Sequence, residues 1–208
     1  MNLPPEFGCL GGLPPLEGTA AELCGTYKGK RCLVIGSGAC VWDDLDAIGV
    51  HGDTNNGWDT MCVNDMMAYY PGVVDHGFSY YYKGLPFWTN GRRETINAHK
   101  VVEKWGRVGY THSRVNAQVN WPWPGHGTSS LGAVYTALAL GYDQVVLCGV
   151  PLDNGPHFFE PPWCTSNFEN ECGKTVQGRL LYWHASLQMF QGRVKSMSGR
   201  TKELVGAP

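Results

Sequence analysis

Residues 126–150, "HGTSSLGAVYTALALGYDQVVLCGV", decide the fold. The stretch opens on small polar residues, passes through an apolar segment and ends in a strand-like run. Leu131, Val134, Tyr135 and Leu138 recur at helical spacing. Gly132, Ala133 and Ala137 let that helix approach a sheet closely, and Gly141 is a natural stop. "QVVLCGV" (144–150) is too apolar on alternate faces for a half-exposed strand, so it reads as a central one. Thr128, Ser129 and Ser130 are each able to cap the helix, and a phosphate or carboxylate at its positive end is the functional alternative.

Working outward, the same alternation recurs. "RCLVIG" (31–36) is a short buried strand, followed by "GSG" and a short helix, "VWDDLDAIG", ended by Gly49. "DTMCVND" (59–65) is a second strand and "GVVDHG" (72–77) a short third. "RRETINAHKVVEKWG" (92–106) reads as a helix with Ile96, Val102 and Trp105 near one face, and "GRVGYTH" (106–112) as a strand. "GRLLYWHASLQMFQG" (178–192) gives a last long helix, in which His184 reads as packed, and "RVKSMS" (193–198) a last strand. Strands alternating with helices call for a Rossmann-like α/β fold: a mostly parallel sheet with helices on both faces, in a single domain. The Pro- and Gly-rich residues 1–27 read as an extended arm, and 28–208 as a nucleotide-binding α/β domain.

Composition narrows the class. The chain has 208 residues, 43% hydrophobic and 16% charged, which is globular rather than disordered. A net charge of −2 argues against broad electrostatic capture of nucleic acid. No apolar run reaches the roughly eighteen residues of a membrane span, and "MNLPPEFGCLGGLPPLEG" lacks the charge-then-apolar order of a signal peptide. The default expectation is cytoplasmic. None of the eight cysteines forms a C-x-x-C pair. Cys32, Cys62 and Cys148 lie in strands, where a free thiol behaves as a small hydrophobe. Cys164 and Cys172 with His157 match no common zinc spacing, so no metal site is assigned.

Ligands of such sheets bind beyond the carboxyl ends of the strands. The sequence gathers there Gly36, Ser37 and Gly38; Asn64 and Asp65; Asp75 and His76; and Val150–Asn154, with Thr128–Ser130 at the helix entry. Gly36 and Gly38 permit a tight turn and close approach of a ligand to backbone N–H groups. The third glycine of a dinucleotide fingerprint is replaced by Val41, so an ordinary strand-to-helix turn is the alternative. Asn64 offers both donor and acceptor to a base or ribose, or is a turn residue. His76, His126 and His157 fall near loops, and one of them would serve as acid or base. Arg92, Arg93, Lys100, Lys104, Arg107 and Arg114 form a loose basic cluster: a solvated face, or a contact for an anionic substrate. The aromatic-rich "FSYYYKGLPFW" and "WPWP" suit lids, sugar platforms or interfaces, and with the Pro-rich arm are compatible with a homo-oligomer.

"GTSSLGAVYTALALGYDQVVLCGVPLDNG" (127–155) resembles the matching segment of the bacterial sialyltransferases of glycosyltransferase family 42, where a T-S-G turn begins a helix that "ALGY" ends. It also resembles the MptE-like (DUF115) proteins, which include 6-hydroxymethylpterin diphosphokinases. "CLVIGSGACVWDDL" is similar to those families' glycine-rich opening, "MCVND" to a strand ending in a nucleotide-contacting Asn, and "RVKSMSGRTKEL" to their last strand with its following Ser. The resemblance implies that Ser37 and Gly38 contact the donor's phosphate or ribose, Asn64 the nucleotide or sugar, and Ser129 the donor. Asp153 and Asn154 would lie at the edge holding base and ribose. It implies a transferase of a nucleotide-activated sugar, a CMP sugar in that family, used as substrate with no metal cofactor. The alternatives are an ATP-dependent pterin or nucleoside diphosphokinase, with Mg²⁺ on Asp75 or Asp153, and a non-catalytic nucleotide-binding protein. The chain departs from the family at Ser37, where the sialyltransferases have Asn, and at Ala39-Cys40-Val41, where they have Pro-Ser-Leu. Their catalytic His precedes the last helix, where "NFENECGKTVQG" (167–178) has none. His157, which follows the strand-edge segment "LDNG", is the first candidate base and His76 the second.

Overall fold

In a computed structural model the structure describes residues 18–52, 54–81, 84–88, 90, 105–110, 119–121, 123, 128–162 and 176–208. Among the described residues seven strands form one sheet: β1 (Arg31–Ile35), β2 (Asp59–Val63), β3 (Val74–Ser79), β4 (Trp105–Tyr110), β5 (Val119–Asn120), β6 (Gln144–Cys148) and β7 (Val194–Ser196). Their order is β5-β4-β3-β2-β1-β6-β7 and every pairing is parallel. The expected α/β architecture is therefore present, and the sheet is wholly rather than mostly parallel. Chain order reverses at β1, which lies between β2 and β6, so the ends of β1 and β6 form the topological switch point.

The helices are α1 (Gly18–Leu23), α2 (Val41–Ala47), α3 (Met66–Tyr69), α4 (Ser129–Leu140), α5 (Val176–Ala185), α6 (Leu187–Phe190) and α7 (Gly199–Val205). Two cores cover the two faces of the sheet. Cys32, Val34, Met61, Val63 and Leu147 pack with α4. Their alternates Leu33, Ile35, Cys62 and Cys148 pack with Val41 and Leu45 of α2 and Met66 and Met67 of α3. Strands buried on both sides need apolar residues at every position, which explains the unbroken runs. Every residue of α4 is buried, so this helix carries no polar stripe. Among the described residues no helix is long and apolar enough to cross a membrane.

Four readings change. Trp105 and Gly106 begin β4 instead of ending a helix; the rest of that predicted helix lies outside the described residues. The last long helix is broken at Ser186, whose hydroxyl donates to the Tyr182 carbonyl (2.6 Å) and meets Tyr135 Oη (2.6 Å). The described part of the arm is helical from Gly18, with Ala20 and Leu23 in the core, so it is not extended there. His184 is exposed rather than packed.

Candidate active site

The carboxyl tip of β1 is locked to that of β6. The amides of Gly36 and Gly38 donate to the carbonyls of Cys148 and Gly149, both at 2.9 Å. A Cβ on Gly36 would lie 2.7 Å from the Gly149 carbonyl oxygen, and one on Gly38 2.6 Å from Pro151 Cδ. The two glycines thus admit a neighbouring chain segment, not a ligand, and their N–H groups are engaged. A ligand approaching these two N–H groups would have to displace those bonds.

Beyond Pro151 the chain turns through Leu152, which has φ +54°, and folds back over this loop. His157 bridges antiparallel to Gly38, and the Phe158 amide donates to the Ser37 carbonyl at 2.9 Å. His157 Nδ1 consequently sits 2.7 Å from Ser37 Oγ. The His157 ring lies flat against Phe159, with centroids 5.3 Å apart and planes 6° apart. Its backbone N–H donates to Glu160 Oε2 at 2.8 Å. Among the described residues its Nε2 has no hydrogen-bond partner. A predicted base 120 positions from Ser37 in sequence is thus fixed against it at the switch point.

Asp44 braces the loop from beneath. Its carboxylate accepts from the Gly149 amide at 2.8 Å and from Ser198 Oγ, tying α2 to the ends of β6 and β7. Burial, with the Asp44 charge second, pushes the Cys40 thiol up to about 11. Asp44 is absent from the residues expected at this edge, although the sequence carries its signal: it shares a helix face with Val41 and Leu45, an acid on an apolar face.

On the other face of the sheet the entry of α4 divides its hydroxyls. Thr128 is the N-cap, accepting from the Leu131 amide at 3.2 Å, and its Oγ1 also meets Ser130 Oγ at 2.7 Å. Ser129 is buried to 8% exposure, and its hydroxyl makes no hydrogen bond among the described residues. Asn64, at the end of β2 with φ +50°, accepts from Ser79 Oγ at 2.7 Å, which leaves its amide donor for other use. Asp65 accepts from Trp88 Nε1 at 2.7 Å and is held as part of the scaffold. Asp153 and Asn154 are exposed beyond β6, with Asp153 accepting from the Gly155 amide at 2.9 Å.

Asp75 and His76 do not reach this edge. They stand near the start of β3, where Asp75 accepts from the Thr60 amide at 2.9 Å and burial raises its carboxyl above the usual range. His76 is 5% exposed. Tyr142 Oη donates to Asp59 (2.8 Å), so His76 Nε2 donates to the Tyr142 oxygen (2.8 Å). The pattern "GVVDHG" ends the strand at Gly77, whereas β3 continues to Ser79 and leaves both residues short of its carboxyl end. His126, Gly127, Cys164, Cys172 and all of the basic cluster but Arg107 lie outside the described residues. Among the described residues no three His, Cys, Asp or Glu side chains converge as metal ligands.

No family model and no curated protein matches the chain. Two solved structures are similar to it. One is the sialyltransferase CstII from Campylobacter jejuni, in complex with a substrate analogue, cytidine-5'-monophosphate; at 11% identity it aligns over 86% of this chain and 85% of its own, with TM-score 0.52. The other is the MAf glycosyltransferase from Magnetospirillum magneticum AMB-1, at 14% identity over 87% of this chain and 36% of its own, with TM-score 0.47. The first likeness is one of fold over nearly the whole of both chains.

Proposed function

We propose that the chain transfers a sugar from a nucleotide-activated donor, a CMP sugar, to an acceptor hydroxyl, with His157 as general base. The observation that carries this reading is the Ser37–His157 pair at the switch point of a parallel sheet. A neutral imidazole has one N–H. With Nδ1–H donating to Ser37 Oγ, the lone pair is on Nε2, the nitrogen without a described partner. In the transfer, the acceptor oxygen bonds to the donor's anomeric carbon as the bond from that carbon to the phosphate oxygen breaks. The nucleotide leaves with the electron pair, and His157 Nε2 takes the hydroxyl proton.

The donor fits the α4 side. With the Gly36 and Gly38 amides engaged, the start of a twelve-residue helix is the positive terminus at hand. Ser129, not needed for capping, supplies a hydroxyl there, and Asn64, just past the end of β2, has its amide donor to offer at the same sheet edge. Fold likeness to a structure holding cytidine-5'-monophosphate supports the choice of nucleotide. The diphosphokinase alternative keeps only Asp153 of its two carboxylates at this edge, because Asp75 is at the start of β3.

The test is a thermal-shift panel with CMP, CDP, UDP, GDP, ATP and a pterin, each with and without Mg²⁺. A ligand confined to the folded state must raise the melting temperature. The expected result is a metal-independent rise with CMP, and CMP-sugar turnover that His157→Ala abolishes. An ATP shift that requires Mg²⁺ would replace the reading by the kinase. CMP binding without turnover would leave a binding protein, and no shift at all would remove the nucleotide site.

A further inference from the structure

Trp42, Tyr69 and Phe159 are 39%, 49% and 43% exposed. They come from α2, from α3 and from the segment after β6, and they form one surface. Phe158 sits among them, edge-on to Trp42 (centroids 5.2 Å), to Tyr69 (5.4 Å) and to Phe159 (5.2 Å). Tyr69 stacks on Phe159 (5.4 Å), and Phe159 on His157 (5.3 Å). The rings are therefore pre-organised by one another, and the ladder ends on the proposed base.

We propose that this surface binds the acceptor, and that the acceptor is a neutral pyranose presenting its apolar C–H face to the rings. The assignment rests on the transferase reading for the word acceptor, but the binding surface stands on its own geometry. Three half-exposed rings are far smaller than the roughly 800 Å² per partner of a stable protein interface. Among the described residues the cations that pack on rings do so at Tyr27 and Trp58, not on this patch, whereas an anionic membrane is held by basic side chains. Asp43 adjoins Trp42 and Glu160 adjoins Phe159, so hydroxyl donors are welcome and carboxylate-bearing sugars are repelled. A nucleobase would also stack. However, the donor-side residue Ser129 begins α4, which packs with Cys32 and Val34, whereas α2 and α3 pack with Leu33 and Ile35 on the opposite face of the sheet. His157 on Ser37, at the tip of β1, lies between the two. A base with donor on one side and acceptor on the other is what a direct transfer requires.

The test is saturation-transfer NMR on the full chain, with lactose and methyl β-D-galactopyranoside as probes and galacturonic acid as the anionic control. Transfer to sugar C–H protons is expected from the neutral probes and much less from the acid. Affinity should fall about tenfold in Tyr69→Ala and in Trp42→Ala and survive in Tyr69→Phe, with any CMP-induced thermal shift unchanged. The proposal is overturned if no neutral probe receives saturation, if the double alanine variant binds as well as the parent, or if galacturonic acid binds equally. It is overturned too if sedimentation shows a dimer that Tyr69→Ala dissociates, since the rings would then be an interface between copies. The CMP shift is read separately: its absence in the parent chain would sink the transferase reading while the saccharide result still decides this one.

Discussion

Thr128, Ser129 and Ser130 show how three chemically similar neighbours separate in role. Only Thr128 caps: its Oγ1 accepts from the Leu131 amide. Thr128→Ala should cost about 1 kcal/mol, read as a lower urea midpoint with an unchanged slope. Ser129→Ala removes no described hydrogen bond, so its stability should stay within about 0.5 kcal/mol of the parent, while the CMP-induced shift falls. A stability loss at Ser129 with nucleotide binding intact would reverse the division. From sequence the three were indistinguishable, because which hydroxyl faces the cap depends on the φ of one residue. Cys40 gives a pH-dependent counterpart. Burial and the adjacent Asp44 carboxylate disfavour its thiolate and raise the thiol to about 11. The thiolate is the species that alkylates. Iodoacetamide labelling of Cys40, followed by peptide mass spectrometry, should therefore still be climbing at pH 10, where a cysteine in a short peptide has levelled off. A plateau near pH 9 would mean that Asp44 and the loop do not enclose the sulfur.

At the level of elements, β1, β2, β6 and α4 were legible because each is an apolar run bounded by its own punctuation: Gly36, Asn64, Gly149, and Thr128 with Gly141. The candidate residues Ser37, Asn64 and Ser129 stand at that punctuation, and the structure places Ser37 and Asn64 just past the ends of β1 and β2 and Ser129 at the start of α4. What could not be read was long-range pairing. Nothing local says that Gly38 bridges His157, or that Gly36 and Gly38 are small for the sake of residues 149–151. Nor does the sequence around Ser186 reveal that Tyr135 holds a break in the last helix. The β1–β6 lock can be tested at its tightest point. Gly149 has φ +66°, and a Cβ there would overlap the Gly36 carbonyl oxygen and lie 2.6 Å from Val41 Cβ. Gly149→Ala should cost about 3 kcal/mol or more, combining a left-handed backbone with overpacking. Gly192 is the control: φ +75° but open space around the added carbon, so Gly192→Ala should cost only about 1 kcal/mol. Equal urea midpoints for the two variants would show that the strand tips are not clamped.

For the molecule as a whole, the question is where the folded unit begins. Composition put the boundary after residue 27, because Pro and Gly dominate before it. The packing argues for an earlier start. Ala20 and Leu23 of α1 are buried against the α4 side of the sheet, the Gly25 and Tyr27 amides donate to the carbonyls of Ala139 and Leu140 at 2.9 and 2.8 Å, and Tyr27 packs edge-on to His76 at 5.0 Å. Gly141 also depends on this contact: its left-handed turn abuts Gly25, 2.8 Å from where a Cβ would sit. Residues 18–27 thus close the bottom of the core that α4 fills, and α4 in turn carries the proposed donor site at its other end. Comparing chains that begin at residue 18 and at residue 28 isolates this contribution. Losing Leu23, Tyr27 and two backbone hydrogen bonds should cost about 3 kcal/mol or more, a drop of roughly 6–12 °C in Tm for a chain of this size. Equal melting temperatures would restore the boundary to residue 27. If instead the shorter chain melts lower and its CMP-induced shift weakens with it, the segment supports the donor site through the elements it packs on, α4 and β5.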